Sequence, residues 1–231
     1  MQPGKLENIY IENRPVENSL VIVISGDRGL CGAYNANVIK ESIRHISDQK
    51  NVKLIVLGSK AVKFFTDGEH EIIRYMTGIS DKPFYDDAAE IGALARNMFE
   101  SGEIDEVFVT YTKFESTLSY KPITESVLPI DVTKFSFENE VKQEYYEMME
   151  FEPKAEVILE QLLPKYINVL LFDAMLESAA CELAARSASM DSATKNAEER
   201  IEEMGLAYNR ARQSVITKEI IEVVAGANAL Q

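Results

Sequence analysis

The stretch that decides the fold is MDSATKNAEERIEEMGLAYNRARQSV, residues 190–215, near the C-terminus. Small or apolar residues recur along it at alternating steps of four and three. This is the seven-residue repeat of a helix that keeps one stripe against a partner helix, so it predicts a coiled-coil-forming helix. We call this stripe the seam. Its members are Met190, Thr194, Ala197, Ile201, Met204, Tyr208, Ala211 and Val215.

The predicted helix is much longer than a helix that only fills a globular core. Between Lys165 and Ala225 the sequence has no proline, and Gly205 is a lone weak point for helix formation. At 1.5 Å per residue this segment would make a rod of roughly 90 Å. Pro164 is expected to begin it, after a separate short helix over 152–163. A helix of this length indicates a segment that extends out of its own domain to contact a partner.

The first half of the chain predicts a sheet with helices on both faces. SLVIVIS and VKLIVL are β-branched apolar runs, typical of buried parallel strands. The predicted strands are 19–25, 52–57, 71–76 and 106–111, and the predicted helices between them are 34–46, 59–65 and 82–102. This alternation predicts a Rossmann-like, mostly parallel sheet. Residues 118–128 are predicted as an antiparallel edge strand, where Pro122 is tolerated.

Three residues are expected to mark helix ends. Ser59 is a candidate N-cap, Pro83 a candidate first-turn residue, and Gly102 a candidate C-terminal cap. The domain assignment that follows is an α/β domain over 1–151 and a helical part over 152–231.

The composition excludes several classes of protein. A net charge of −14 argues against binding nucleic acid or an anionic membrane surface. Cys31 and Cys181 are far apart and the sequence has two histidines, which gives no metal-ligand spacing. Apolar runs stay well short of the roughly 18 residues of a membrane span. No cofactor or metal is predicted.

The turn GDRGLCG, residues 26–32, lies between a strand and a helix, where phosphate-binding loops occur. Its glycines are spaced G-x-x-G-x-x-G, which matches neither the dinucleotide nor the Walker pattern, and Asp27 would oppose a phosphate. We therefore expect a structural turn in which Asp27 and Arg28 pair with protein groups or water. Cys31 is either a reactive thiol at a helix N-terminus or a small, half-buried residue in a close turn, and the second is favoured.

The sequence contains no pattern of catalytic residues, such as a Ser/His/Asp set or a Cys/His pair. No catalytic residue is predicted. The stretch 143–151 is rich in Tyr, Met and Phe, and from its composition it is either an exposed recognition surface or core.

Two stretches resemble a known family. SGDRGLCGAYNAN, residues 25–37, and residues 184–230 are similar to the gamma subunit of the F-type ATP synthase, the central rotor shaft of its F1 sector. Residues 112–130 resemble the last two strands of its α/β domain. The resemblance implies a helical coiled coil inside a ring of α and β subunits. It also implies an α/β foot against epsilon and the c-ring.

The resemblance also implies roles for particular residues. The expected function is non-catalytic torque transmission between the c-ring of a proton-translocating complex, with sodium left open as the coupling ion, and the catalytic β subunits. Tyr145, Tyr146 and Glu147 match the foot segment on epsilon and the c-ring, and the seam matches the coiled-coil interior. The positions expected to contact β subunits are Arg186, Arg212, Gln213, Thr217 and Glu219.

Family members begin with a long helix ahead of the first strand, and we expect this helix to be lacking here. The seam would then have no partner in its own chain, and assembly with α and β would be poor. We expect the chain alone to pair antiparallel with a second copy, or the segment beyond Met190 to fold back or be mobile. The lack of a chloroplast-type insertion with paired cysteines favours a bacterial protein. It would lie at the cytoplasmic face of the inner membrane, reached only through Fo partners.

Two other functions remain as alternatives. A Rossmann-like small-molecule-binding enzyme with a helical tail would need a cofactor at residues 26–32. A generic coiled-coil scaffold would self-associate as a parallel dimer and would not need its α/β domain.

Overall fold

The computed structural model describes residues 8–12, 14–116, 119–131, 152 and 155–228. The strands are β1 Ser19–Ile24, β2 Val52–Leu57, β3 Glu71–Met76, β4 Glu106–Ser116 and β5 Ser119–Leu128. The helices are α1 Tyr34–Ser47, α2 Ser59–Thr66, α3 Tyr85–Glu100 and α4 Ala155–Asn228. The chain divides into two compact units, Met1–Arg186 and Ser187–Gln231. The first unit therefore contains the sheet and the first part of α4.

The sheet confirms the predicted fold class. Its strand order is β3-β2-β1-β4-β5, with β5 antiparallel to β4 and every other pair parallel. The central strand β1 is buried along its whole length, as its apolar sequence predicts. Pro122 lies in the edge strand opposite Thr112, where its missing N–H is tolerated.

Alternate residues of β1 face two different helical layers. Leu20 and Ile22 belong to a core that includes side chains of α3 and α4. Val21 and Val23 belong to a core shared with Phe65 of α2 and with α1. Because side chains alternate along a strand, the unbroken apolar run of β1 serves both layers. The layer with α3 and α4 is the larger of the two.

The helix ends agree only partly with the expectations. Gly102 does end α3: it has φ +74, its N–H bonds to Phe99 O at 3.2 Å, and the next N–H bonds to Met98 O at 3.0 Å. Pro83 was expected inside α3, but Phe84 is extended and the helix begins at Tyr85. Ser59 was expected to cap α2, but it is the first helical residue and Gly58 is the N-cap.

The proline prediction was also wrong, because α4 runs through Pro164 without a break. A proline inside a helix removes one hydrogen bond and costs about 3 kcal/mol. The buried side chains of Leu163 and Ile167 lie on either side of it and pack into the same core. Arg96 of α3 also donates a hydrogen bond to the Pro164 carbonyl at 3.2 Å. Tertiary packing therefore outweighs the local preference to start a new helix.

In the second unit the described residues 190–226 are all exposed. The exposed fractions of the larger seam side chains are 37% for Met190, 71% for Ile201 and Met204, 65% for Tyr208 and 56% for Val215. The segment is one uninterrupted helix and does not fold back, so pairing with a second copy and mobility are the expected alternatives that stay open. Pairing with a second copy stays a prediction. Among the described helices, none carries an apolar stretch that could cross a membrane.

Candidate functional site

Asp27 anchors the glycine-rich turn to two neighbouring loops. Its Oδ1 accepts the N–H and the hydroxyl of Ser59, at 2.8 and 2.7 Å, and its Oδ2 accepts the N–H of Ser80 at 3.0 Å. Burial alone would raise the pKa of this carboxyl. Hydrogen bonds from Gly78, Ser59 and Ser80 outweigh it and hold the pKa well below its usual range. A charged carboxylate therefore joins the segments that follow β1, β2 and β3.

The rest of the turn is also committed to protein partners. The N–H of Gly26 bonds to Asn35 Oδ1 at 2.8 Å, and the N–H of Asp27 bonds to Ser80 Oγ at 3.0 Å. Arg28 pairs with Asp81 at 2.7 Å, so the expected protein partners of Asp27 and Arg28 are confirmed. The N–H groups of Gly26 and Asp27, which could hold a phosphate in a nucleotide-binding turn, are used here for structure. This geometry does not favour the small-molecule enzyme.

The turn also meets α4 at close range. A Cβ placed on Gly26 would lie 2.6 Å from Cδ of Glu182, so any larger residue would require the Glu182 side chain to move. Glu182 is 1% exposed, and its carboxylate pairs with Arg186 one turn further along the helix. The turn therefore packs against an ion pair of α4 in which Glu182 is buried and Arg186 is half-buried.

Beside this contact lies a small buried cluster that contains both cysteines. Tyr34 is fully buried and its hydroxyl donates to the Ser178 carbonyl at 3.0 Å, while Cys31, Cys181 and Ala185 pack around it. Burial raises the pKa of both thiols, that of Cys181 to about 12. Cys31 is 2% exposed, more deeply buried than the half-buried residue expected, and a buried thiol with a raised pKa fits a structural rather than a reactive role.

Further hydrogen bonds hold α4 to β4 and α3. The Thr112 N–H donates to Ser178 Oγ at 3.4 Å, and the Cys181 thiol donates to the Thr112 carbonyl at 3.4 Å. Near the other end, Arg96 donates to Asn168 Oδ1 at 2.5 Å. We call the contacts of Gly26, Tyr34, Arg96 and Thr112 with α4 the helix clamp.

The structure separates the residues predicted to contact β subunits. Arg186 is half-buried at the end of the helix clamp in the first unit. The other four are exposed in the second unit. Arg212 and Glu219 are seven residues apart and share one face of the helix, while Gln213 and Thr217 are four apart and share another. Their contacts with partners stay predictions. Tyr145, Tyr146 and Glu147 lie outside the described residues.

The contacts of the helix clamp were not predicted from the sequence. Glu182 had one detectable signal, since it is an acid in the alanine-rich stretch SAACELAA and stands four residues before Arg186. Arg96 and Asn168 carry no comparable signal, because their contact joins segments that are far apart in the sequence.

Comparison with known proteins agrees with this architecture. A family model described as ATP synthase matches residues 2–230. The ATP synthase gamma chain of Alkaliphilus metalliredigens is 39% identical over 221 residues, which cover 96% of this chain and 76% of the relative. The sodium ion specific gamma chain of Acetobacterium woodii is 38% identical over 240 residues, covering 98% of this chain and 80% of the relative.

Solved structures show the same fold. The central stalk and c-ring structure of the Tetrahymena thermophila mitochondrial ATP synthase matches with a TM-score of 0.62 at 21% identity, covering 79% of each chain. The rotor of the Euglena gracilis mitochondrial ATP synthase matches with a TM-score of 0.60 at 18% identity, covering 87% of this chain and 75% of the other. On the strength of the family model and the sequence relatives, this chain belongs to the ATP synthase gamma-chain family.

Proposed function

We propose that this chain is the non-catalytic central rotor shaft of an F1Fo ATP synthase, transmitting torque between the ion-driven c-ring and the catalytic β subunits. One observation carries the proposal: a single helix, α4, is both clamped to the α/β domain and continued as a fully exposed helix. Its buried side chains lie between Leu163 and Ala185, whereas residues 190–226 are exposed. Helix α4 thus provides both the attachment to the α/β domain and an exposed surface for contacts with other subunits.

The contacts between α4 and the α/β domain are suited to resist rotation of the helix about its own axis. Ile167, Leu171 and Met175 of α4 are buried in the larger core, and fully burying one such side chain contributes about 1.5–3 kcal/mol. Arg96 holds α4 near Pro164, and Gly26 meets it near Glu182. Rotating α4 about its axis would break the packing and the hydrogen bonds together. Torque applied to the α/β domain would therefore reach the helix.

The exposed part of α4 is suited to contacts that form and break. Arg212, Gln213, Thr217 and Glu219 are polar and exposed, and exposed polar pairs typically contribute less than about 1 kcal/mol. Weak contacts of this kind permit a shaft to exchange one β subunit for the next. We propose these four residues and Arg186 as contacts to β, and Tyr145, Tyr146 and Glu147 as contacts to the c-ring and epsilon.

The ion and the location are part of the proposal. We propose protons as the coupling ion, with sodium as the alternative because the Acetobacterium woodii relative is named sodium ion specific. A sodium requirement for ATP synthesis by the assembled complex would decide between them. The proposed location is the cytoplasmic face of the bacterial inner membrane, with Fo partners providing the membrane contact.

The proposal can be tested by assembling the full chain with its α and β subunits. Arg212→Glu together with Gln213→Leu should slow ATP turnover of the complex and leave the melting temperature of the isolated chain unchanged, since both side chains are exposed. Lys195→Glu, an equally exposed charge reversal on the same helix, is the control. ATP hydrolysis by the isolated chain, abolished by substitutions in its own residues, would refute a non-catalytic role.

Rotation can be observed directly on the same complex. Cys31 and Cys181 are buried, so a cysteine introduced as Lys82→Cys at an exposed position would be labelled selectively. A bead attached there should rotate in one direction when the immobilised complex hydrolyses ATP. An assembled, active complex whose bead does not rotate would contradict the proposal.

A further inference from the structure

The layer formed by α1 and α2 carries an open groove of about 600 Å³. Its apolar floor is formed by Ala36, Ile39 and Ile43 of α1 and by Phe64 of α2. The positions 36, 39 and 43 recur at steps of three and four, so they form one face of α1 over two turns.

Part of this floor lies beside the core faces of the two helices, while Ile39 is half-buried and also packs against the core shared with Phe65. Helix α2 packs through Ala61 and Phe65, both fully buried, whereas the adjacent Phe64 is 47% exposed. Helix α1 packs through Val38 and Ile46, whereas Ile43 is 36% exposed. Helix α1 thus carries Ala36 and Ile43, and α2 carries Phe64, as exposed apolar side chains beyond their core faces. Side by side, these side chains make a surface that a partner can cover.

The rim of the groove is basic in an otherwise acidic protein. Lys40, Lys60 and Lys63 line it, and Asp67 is the only acidic residue among the lining residues that the structure describes. The whole chain has a net charge of −14. Within the part of the chain that the structure describes, none of these three lysines has an ion-pair partner. Unpaired positive charge around an apolar floor is complementary to a negatively charged, apolar ligand.

We propose that this groove binds an acidic amphipathic helix of a partner protein. A groove between two helices fits the helix-in-groove mode, in which apolar residues at i, i+3, i+4 and i+7 cover the floor. Acidic residues beside that stripe would meet Lys40, Lys60 and Lys63. An anionic membrane fits less well, because the acidic remainder of the chain would be repelled. This inference goes beyond the rotor function and does not depend on it.

A designed pair of peptides tests the chemistry on the full chain. Both peptides are two to four turns long and carry leucine at i, i+3, i+4 and i+7, with glutamate elsewhere in one and lysine elsewhere in the other. Fluorescence anisotropy should give a Kd at least about tenfold lower for the acidic peptide, and added salt should weaken its binding. Equal binding of both peptides, or no saturable binding of the acidic one, would overturn the proposal.

Matched variants locate the binding. Phe64→Ser, and Lys60→Glu combined with Lys63→Glu, should each weaken acidic-peptide binding by at least about tenfold. The controls are Tyr75→Ser, an exposed aromatic outside the groove, and Lys50→Glu combined with Lys82→Glu, which changes the net charge equally. Far-UV circular dichroism of all four should match the parent chain. Binding that survives the groove variants, or is lost equally in the controls, would overturn the assignment.

Two other occupants of the groove, a second copy of the chain and an anionic membrane, would each give a distinct experimental result. Self-association in sedimentation velocity that Phe64→Ser abolishes would assign the groove to a second copy. Co-sedimentation with phosphatidylcholine–phosphatidylglycerol vesicles that the Lys60→Glu, Lys63→Glu variant abolishes would assign it to a membrane. Either result overturns the proposed occupant. ATP turnover of the complex assembled with α and β should be the same for the groove variants and the parent chain, so the rotor proposal stands or falls separately.

Discussion

Gly26 in the turn after β1 and Glu182 on α4 are in direct contact, and a methyl group on Gly26 would fit only if the Glu182 side chain moved. A Cβ on Gly26 would lie 2.6 Å from Cδ and 2.8 Å from both carboxylate oxygens of Glu182. Glu182 is buried and paired with Arg186, so it has little freedom to move aside. The close approach of the turn to the long helix thus depends on a single missing side chain.

Gly26→Ala should therefore destabilise the isolated chain. Overpacking of this kind costs about 1–3 kcal/mol, which for a domain of this size lowers the melting temperature by roughly 2–4 °C per kcal/mol. Thermal unfolding followed by circular dichroism measures it. Gly29→Ala is the matched control in the same turn, because no atom lies within 4 Å of its added Cβ.

If the contact between Gly26 and Glu182 is tight, the melting temperatures of the two alanine variants must differ. Equal melting temperatures for Gly26→Ala and Gly29→Ala would show that the turn moves away from α4 without penalty. In the assembled complex, Gly26→Ala should also reduce the coupling of ATP hydrolysis to bead rotation, because it disturbs the helix clamp.

Asp27→Asn should remove a pH-dependent part of the stability. The folded-state pKa of Asp27 is depressed below the unfolded value of about 3.9. Its contribution is therefore present above that value and lost as the pH falls through the acid range. At pH 7 the loss of charged hydrogen bonds should cost about 1–2 kcal/mol, a range that allows for partial exposure.

Urea unfolding of the two proteins at neutral and at acid pH checks this sign. The difference in unfolding free energy between parent and Asp27→Asn should shrink as the pH falls below about 4. Asp48→Asn, an exposed acid at the end of α1, should differ little from the parent chain at either pH. A difference for Asp27→Asn that stays constant with pH would contradict the role of the charge.

The sheet was predictable from the sequence because its signals are local. SLVIVIS and VKLIVL are apolar and β-branched, and their strands lie where the pattern predicts. Ser59 was mispredicted as the N-cap of α2 because its hydroxyl instead binds Asp27, which is distant in the sequence. The seam was predictable in its spacing, but no single-chain pattern reveals which helix covers it. The groove could not be predicted from the sequence, because apolar side chains outside the core face of a helix are recognised only when that core face is known.

Pro164→Ala should stabilise the chain. The helix already continues through this position, so alanine restores a backbone N–H and removes the ring clash. A gain of about 1 kcal/mol or more is expected, up to the roughly 3 kcal/mol assigned to an interior proline. Pro83→Ala is the control, because Pro83 precedes α3 and its replacement should be neutral or slightly destabilising.

If both Pro164→Ala and Pro83→Ala stabilise the chain, or if neither does, a specific destabilisation of α4 by Pro164 is contradicted. Arg96→Ala should have the opposite effect to Pro164→Ala. It removes the hydrogen bonds to the Pro164 carbonyl and to Asn168, which should cost about 1–2 kcal/mol.

The exposed seam makes the isolated chain a candidate for self-association. Ile201 and Met204 are each 71% exposed and lie one turn apart in the repeat. Burying such side chains contributes about 1.5–3 kcal/mol each, so a second copy that covers the seam would be stabilised. Sedimentation velocity over a range of concentrations should show a reversible dimer. Cross-linking of single cysteines placed along the helix should show that its two strands are antiparallel.

Ile201→Asp combined with Met204→Asp should abolish this dimer and leave the melting temperature of the first unit unchanged, since neither side chain contributes to its core. Glu198→Lys, an exposed off-seam charge reversal on the same helix, is the control and should preserve the dimer. A parallel cross-linking pattern would favour the generic scaffold over the rotor shaft. A chain that stays monomeric at every concentration, with α4 fully helical to its end, would show that the seam does not pair with itself, and the coiled-coil assignment would then require a different partner helix.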